Sequence, residues 1–305
     1  MKFTLYFLCL LLAFTSKAQM LNDSPFDASV AHAKFKLGKG PKVLFDKGHH
    51  NFIVEMGLAK PLMDVATSDG YQVSVDSMKL TKDYLAPYKI LVIFPAMPFE
   101  FGSKKQVTDE ITFTTDELTA LHDWVSAGGS LLMFDEHAPI DKSVTPLFNK
   151  FGIQLSIGIV SDSLNYETQY EMASKESLLS FTRSNGLLNR EHPITQGEKA
   201  GEQINKIMTY GGGGLTGAGY TNLFKLSPTA IIKKYSGSAP QGSANSQALA
   251  GKFGEGKVVA LGDCNGFTAM YVMMGKTKFS AGMQVKEYDW KQFALNTLHW
   301  LSSNK

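Results

Sequence analysis

A chain of 305 residues with 44% hydrophobic content has the material for one large core, and 30 basic against 28 acidic residues leave no charge excess for collecting phosphates. Nucleic acid and anionic membrane surfaces are therefore not expected as partners. Of the two cysteines, Cys9 falls in an N-terminal leader and only Cys264 lies beyond it, which excludes an intrachain disulfide.

The leader is residues 1–18. Lys2 precedes the apolar run Phe3 to Phe14, and Ser16-Lys17-Ala18 supplies the small-residue end, the layout of a secretory signal peptide. The run is shorter than the roughly 20 apolar residues that span a bilayer, and Cys9 sits inside it rather than at its end, where a lipid-bearing cysteine would stand. Cleavage after Ala18 removes Lys2 and Lys17 and no acid, leaving 28 basic against 28 acidic residues. The expectation is an exported protein, periplasmic or extracellular, with no stable membrane anchor after cleavage. Residues 19–40 read as a lead-in, ending in the turn signal Gly-Lys-Gly-Pro, and residues 41–305 as a single α/β domain.

The first strand, Lys42 to Asp46, is a short apolar run closed by an acid, and Gly48-His49-His50-Asn51 follow it in a loop. A helix is expected from Met56 to Ser68, with Pro61 in its first turns, and then a strand from Tyr71 to Val75 that alternates with period two. Ile90 to Phe94 is apolar without alternation, as in a central parallel strand covered on both faces. After a loop from Pro95 to Gln106, Thr114-Thr115-Asp116-Glu117 supplies a cap and N-terminal acids for a helix that Gly128-Gly129 ends. Ser130 to Phe134 is the next buried strand. This alternation predicts an α/β fold: a doubly wound, mostly parallel, flavodoxin-like sheet flanked by helices. The second half reads as a β-rich elaboration, with a strand from Ile153 to Val160, a long loop from Tyr166 to Ala200 and a glycine cluster at Gly211 to Gly214. A mobile surface loop from Ser236 to Ser246 leads to a hairpin-like pair about Gly254-Glu255-Gly256, and a helix carrying Phe293, Leu295, Leu298 and Leu301 closes the chain.

The segments FDKGHHNF, YKILVIFP, TTDELTALHDWVSAGGSLLMFD, HPITQG, GKVVALGDCNGFT and FALNTLHWL, in that order, resemble an uncharacterised secreted bacterial family within the class I glutamine amidotransferase-like superfamily. Trehalose-utilisation-like proteins are its distant relatives. The resemblance runs from Lys42 to Ser302 and implies an amidotransferase-like fold with relatives linked to sugar use. In amidotransferases the strand after the Gly-Gly turn leads into an elbow bearing a nucleophilic cysteine. Here Asp135-Glu136-His137 stands in that place, and a carboxylate does not replace a thiolate in attack on a carboxamide. Glutamine hydrolysis is therefore not expected.

Ligands of open α/β sheets collect at the carboxyl ends of the strands. Three segments reach such ends: Asp46 with His49, His50 and Asn51; Asp135 with Glu136 and His137; and Asp263 with Asn265. Their imidazoles and carboxylates suit a divalent metal with a bound water, while the same acids would equally cap the turns and helices that follow. In extended backbone His49 and His50 face opposite ways, so one of them at most reaches a common site. Asn51 serves as a hydrogen-bonding partner or as a turn residue. Asp135 and His137 are the acid–base candidates, the imidazole because it titrates near neutrality. His192 is held extended by Pro193, and in the resembling family this loop approaches the pocket; His122 and His299 read as packing or surface residues. The glycine cluster lacks the Gly-Lys-Ser/Thr ending of a phosphate loop. Phe99, Phe101, Tyr210 and Tyr220 are candidates for stacking on sugar rings. Two functions fit this set. One is an exported domain, without the catalytic cysteine, that binds a small polar ligand such as a carbohydrate at the strand ends. The other is a metal-assisted hydrolase of a glycan or peptide-like substrate, with Asp46, His49, Asp135, His137 and Asp263 around the ion.

Overall fold

The computed structural model describes residues 19–22, 25–100, 103, 111–137, 140–170, 174–235, 237, 239–274 and 277–303; the leader 1–18 and Phe101 lie outside them. The chain opens with β1 (Gln19–Asn22), β2 (Lys42–Asp46), α1 (Phe52–Glu55), α2 (Lys60–Ser68), β3 (Gln72–Asp76), α3 (Lys82–Leu85) and β4 (Ile90–Ile93). It continues through α4 (Thr115–Ser126), β5 (Ser130–Phe134), α5 (Asp141–Lys150), β6 (Ile153–Leu155), β7 (Ile159–Asp162), β8 (Ser180–Thr182), α6 (Pro193–Gln196) and β9 (Lys206–Met208). The last part holds β10 (Leu215–Gly217), β11 (Thr221–Lys225), β12 (Ala230–Lys233), β13 (Ser246–Phe253), β14 (Gly256–Leu261), β15 (Ala269–Met274), β16 (Thr277–Gly282) and α7 (Trp290–Ser302).

The central sheet has nine strands in the order β3-β2-β4-β5-β14-β13-β10-β6, with β11 also paired to β13. The five strands from β3 to β14 are mutually parallel, and β13, β10, β6 and β11 extend the sheet in antiparallel fashion. Separate antiparallel pairings join β1 to the β15–β16 hairpin, β12 to β7, and β8 to β9. The result is a mixed α/β architecture with a largely parallel central sheet.

Burial explains why β4, β5 and β14 read as unbroken apolar runs: every residue in them is buried. Successive side chains enter opposite faces. Val92, Leu132 and Val259 join one apolar cluster, with Leu62 and Val65 of α2 and Phe293 and Leu298 of α7. Leu91, Leu131 and Val258 join a second, with Leu121 of α4 and Val144 and Leu147 of α5. Helices thus cover both faces. The cap expected at the start of α4 is present as a capping box: the Thr114 hydroxyl accepts from the Glu117 amide, and the Glu117 carboxylate accepts from the Thr114 amide.

Several segments differ from the sequence expectation, among them β1 within the expected lead-in and β8 and α6 within the expected long loop. The helix expected from Met56 to Ser68 starts only at Lys60, with Pro61 in its first turn, because Gly57 adopts φ +75° and separates it from the short helix α1 that precedes the expected span. The strand expected over 153–160 is also two, in different sheets: the chain turns at Gly158, whose backbone lies so close to Lys233 that a Cβ would sit 2.6 Å from the Lys233 carbonyl. Helix α5 has no counterpart in the sequence expectation, and Pro146 stands inside it.

Candidate functional site

The carboxyl end of β5 delivers Asp135, Glu136 and His137, and that of its neighbour β14 delivers Asp263, Cys264 and Asn265. The two strand ends are locked in register, since the Asp135 amide donates to the Leu261 carbonyl at 2.7 Å. Asn265 ties the acids together: its Nδ2 donates to Glu136 Oε2 at 3.0 Å and to Asp263 Oδ1 at 2.7 Å. The Cys264 thiol donates to the same Glu136 oxygen at 3.2 Å, and the Tyr210 amide donates to Asp263 Oδ2. Glu136 and Asp263 are buried, and that burial pushes the carboxyl of each up to about 7; for Asp263 the Glu136 charge adds to the shift. Burial and the two neighbouring carboxyls push the Cys264 thiol far up, so it is no thiolate nucleophile.

Asp135 points elsewhere. It is fully buried, and neither carboxyl oxygen meets a hydrogen-bond partner. Burial first, and then the charge of Asp141, hold its pKa well above the usual carboxylate range. His137 is the accessible member of the group, with 27% of its side chain exposed, its Nε2 3.7 Å from Glu136 Oε1 and its ring 4.0 Å from that of Tyr235.

The glycine cluster packs against this strand end. The Gly213 amide donates to the Gly262 carbonyl at 2.8 Å, a Cβ on Gly212 would lie 2.1 Å from that carbonyl, and one on Gly213 would lie 2.5 Å from Asp135 Oδ2. Buried Gln247 donates to the Gly211 and Gly213 carbonyls and accepts from the Thr209 hydroxyl. Close packing accounts for these glycines, against backbone at Gly212 and against side chains at Gly213 and Gly214.

At the end of β2, two strands away from β5, a second polar group forms. His49 Nδ1 lies 3.1 and 3.0 Å from the two Asp46 oxygens, its Nε2 lies 3.4 Å from Glu117 Oε1, and its ring stacks on Phe113 at 4.4 Å. Burial opposes the imidazolium, but Asp46 and Glu117 outweigh it and raise the His49 pKa. This sandwich fastens the loop after β2 to the first turn of α4. His50 turns away through a left-handed backbone, φ +40°, rather than through the alternation of an extended segment, and its Nδ1 lies 3.6 Å from Glu55. Asn51 is buried at the N-cap of α1 and donates to the Phe94 carbonyl at 3.3 Å, leaving its Oδ1 without a partner.

His192 is placed with neither group. It caps α6, accepting from the Ile194 amide at 3.2 Å, and its ring packs against Trp300 near Lys257, at the amino end of β14. Burial, aided by the Lys257 charge, lowers its pKa to about 4. His122 is surface-exposed beside Asp123, and His299 is a buried partner of Asp69 at 2.6 Å. Phe99 is buried, the Tyr210 hydroxyl accepts from the Gly282 amide at the end of β16, and the Tyr220 hydroxyl donates to the Phe151 carbonyl. Sequence reading missed Glu117, Tyr235, Asp141 and Gln247. Glu117 alone carried a signal, as the last residue of a capping box, and that signal concerned the helix and not His49.

Fold and site together define the class: a mixed α/β protein whose largely parallel sheet gathers buried carboxyl groups at two of its carboxyl ends. No family model matches the sequence, and comparison with curated proteins gives no significant match. Among solved structures the chain is similar to an "mmIFT52 N-terminal domain", with TM-score 0.54, 16% identity, and 86% of this chain and 97% of that chain covered, which shows a shared fold. It is distantly similar to putative ThuA-like proteins from Parabacteroides merdae (TM-score 0.46, 12% identity, 88% and 91% covered) and Bacteroides uniformis (0.42, 12%, 88% and 94%).

Proposed function

We propose that this chain is an exported, amidotransferase-like domain without the catalytic cysteine, which binds a small polar ligand of carbohydrate type at the carboxyl ends of β5 and β14. The observation that carries the reading is the bridge of Asn265 across Glu136 and Asp263, beside the partly exposed His137 and Tyr235. Two carboxyls held near neutrality can each donate or accept a hydrogen bond, a half-buried tyrosine offers an apolar face, and sugar hydroxyls need both. The order of the five parallel strands, second-first-third-fourth-fifth along the chain, supports a flavodoxin-like sheet and with it the amidotransferase-like reading. Export rests on the leader; Gln19 opens β1, so cleavage after Ala18 leaves every described element whole.

Saturation-transfer NMR against a panel of mono- and disaccharides tests the binding reading. Signal transfer that is lost in both His137→Ala and Asn265→Ala supports it. Transfer unchanged in both variants, or none from any sugar, sinks it.

A metal-assisted hydrolase is the second reading, favoured by one observation: ligand atoms of Glu136, Asp263 and Cys264 all lie within 4.8 Å of one another. These donors fit a zinc-type ion only after the thiol loses its proton and Asn265 yields its place between the carboxylates. Asp46 and His49, engaged with Glu117, stand apart from that set. Stoichiometric metal in the purified protein, lost in Cys264→Ala, would move the hydrolase reading ahead.

A further inference from the structure

At the opposite, amino end of the parallel strands lies a cavity of about 470 Å³ lined by Lys89, Lys252 and Lys257 together with Glu255 and Ser303. The walls come from the end of α4, the turn between β13 and β14, and the end of α7. Lys257 is buried, and its ammonium group donates to the Trp300 carbonyl at 2.7 Å, the Ser303 carbonyl at 2.8 Å and the Ser303 hydroxyl at 2.7 Å. Lys89 donates to the Gly128 carbonyl at 2.7 Å, just past the end of α4. Among the described residues no carboxylate pairs with Lys89, Lys252 or Lys257, and Lys34, the next cation, is taken up by Glu198.

Helix carboxyl ends explain part of this arrangement. Each supplies about half an elementary negative charge, so α4 and α7 together offset roughly one of the three lysine charges. Glu255 also lines the cavity and is exposed, so water weakens its charge without removing it. Among the described residues, cationic charge therefore remains in the cavity. Burial and the mutual repulsion of the lysines hold Lys257 down at about 8, as expected of a cation lacking its counter-ion. Lys89 keeps two N–H groups and Lys252 three for a ligand, while Lys257, with all its protons engaged, contributes charge alone.

We propose that this amino-pole cavity is an anion site for a tetrahedral phosphate-type dianion, bound by Lys89 and Lys252 over the fixed charge of Lys257. It is independent of the carboxyl-end site and stands or falls without it. Compact ammonium groups suit an ion that spreads charge over several oxygens, and two negative charges match the residual positive charge of the walls.

The test is calorimetric titration of the full chain with inorganic phosphate and, separately, with glycerol 3-phosphate, at constant ionic strength set by sodium chloride. Expected is saturable binding of one ion per chain, weakened about tenfold in Lys89→Gln and in Lys252→Gln and strengthened in Glu255→Gln. Lys252 is exposed, so its variant keeps the fold and the result stays interpretable. Binding of both compounds assigns the site to a phosphate group carried on a larger molecule; binding of inorganic phosphate alone assigns it to the free ion. Absence of saturable binding up to about 20 mM of either, or equal binding by all three variants, overturns the proposal.

Discussion

Asp135, at the carboxyl end of β5, is an ionisable side chain with no hydrogen-bond partner for either oxygen, in a place where an ionised carboxylate would be expensive. The fold resolves this by keeping it protonated: burial and Asp141 raise its pKa well above the ordinary value. Asparagine has the same shape and no charge, so Asp135→Asn should match the wild type to within about 1 kcal/mol at pH 5 and exceed it at pH 8. The sign follows from linkage. The unfolded carboxyl ionises near 3.9 while the folded one holds its proton to higher pH, so as pH rises above about 4 the wild type bears a loss from Asp135 that the variant does not. Urea denaturation at both pH values measures the difference. A variant whose stability relative to the wild type is lower at pH 8 than at pH 5 would mean that Asp135 is ionised and satisfied in the fold.

Between elements, the decisive contacts are backbone on backbone. The glycine segment between β9 and β10 lies against the end of β14 so closely that Gly212→Ala would drive a methyl carbon to 2.1 Å from the Gly262 carbonyl, at a φ of +87°. Gly219 has nearly the same φ, +84°, but nothing within 4 Å of the added carbon. Gly212→Ala should therefore cost more than about 3 kcal/mol or abolish folding, and Gly219→Ala about 1 kcal/mol, as read by thermal melts. Equal costs would mean that conformation, and not contact, accounts for the cluster. A smaller loss, about 1 kcal/mol, is expected for Thr114→Ala, which removes the cap of α4 and loosens Glu117 from its place against His49. These elements also mark what sequence can and cannot convey. Strands β2, β4 and β5, helix α4 and the hairpin of β13 and β14 were legible because their signals are local: apolar runs, a capping box, a two-residue turn. The splitting of the strand at Gly158 was not legible, because its cause is Lys233, far along the chain. The same holds within the site. Asp135, Glu136, His137, Asp263 and Asn265 were legible as strand-end residues, whereas Tyr235 and Glu117 arrive from distant segments that no spacing rule connects to them.

Across the whole molecule the buried acids set an unusual dependence of stability on pH. Glu136 and Asp263 titrate in the fold near 7 and Asp135 is raised well above its ordinary value, against about 4 in the unfolded chain, so each one releases its proton on unfolding and costs stability as pH rises above about 4. Glu136 and Asp263 interact, so the two protons belong to the pair. His49, raised above 6.5, adds in the same direction: its contribution is complete below that value and is lost as pH climbs through its folded pKa. His192 runs the other way, because the fold holds it neutral down to about 4 and loses stability as pH falls below 6.5. Three acids outweigh one imidazole between pH 4 and 6.5. Glu117 and Asp162, whose pKa values are lowered in the fold, remove stability only below about 4. Maximum stability should accordingly lie near pH 4 to 5, more acidic than the usual range, and should move toward neutrality in the double variant Glu136→Gln, Asp263→Asn. Denaturation across pH 3 to 9, with and without EDTA, checks this. A divalent ion between Glu136, Asp263 and Cys264 would hold the carboxylates ionised and reverse their sign. A wild-type maximum near pH 7 that shifts to acid pH only on chelation would therefore overturn the metal-free account of the site and favour the hydrolase.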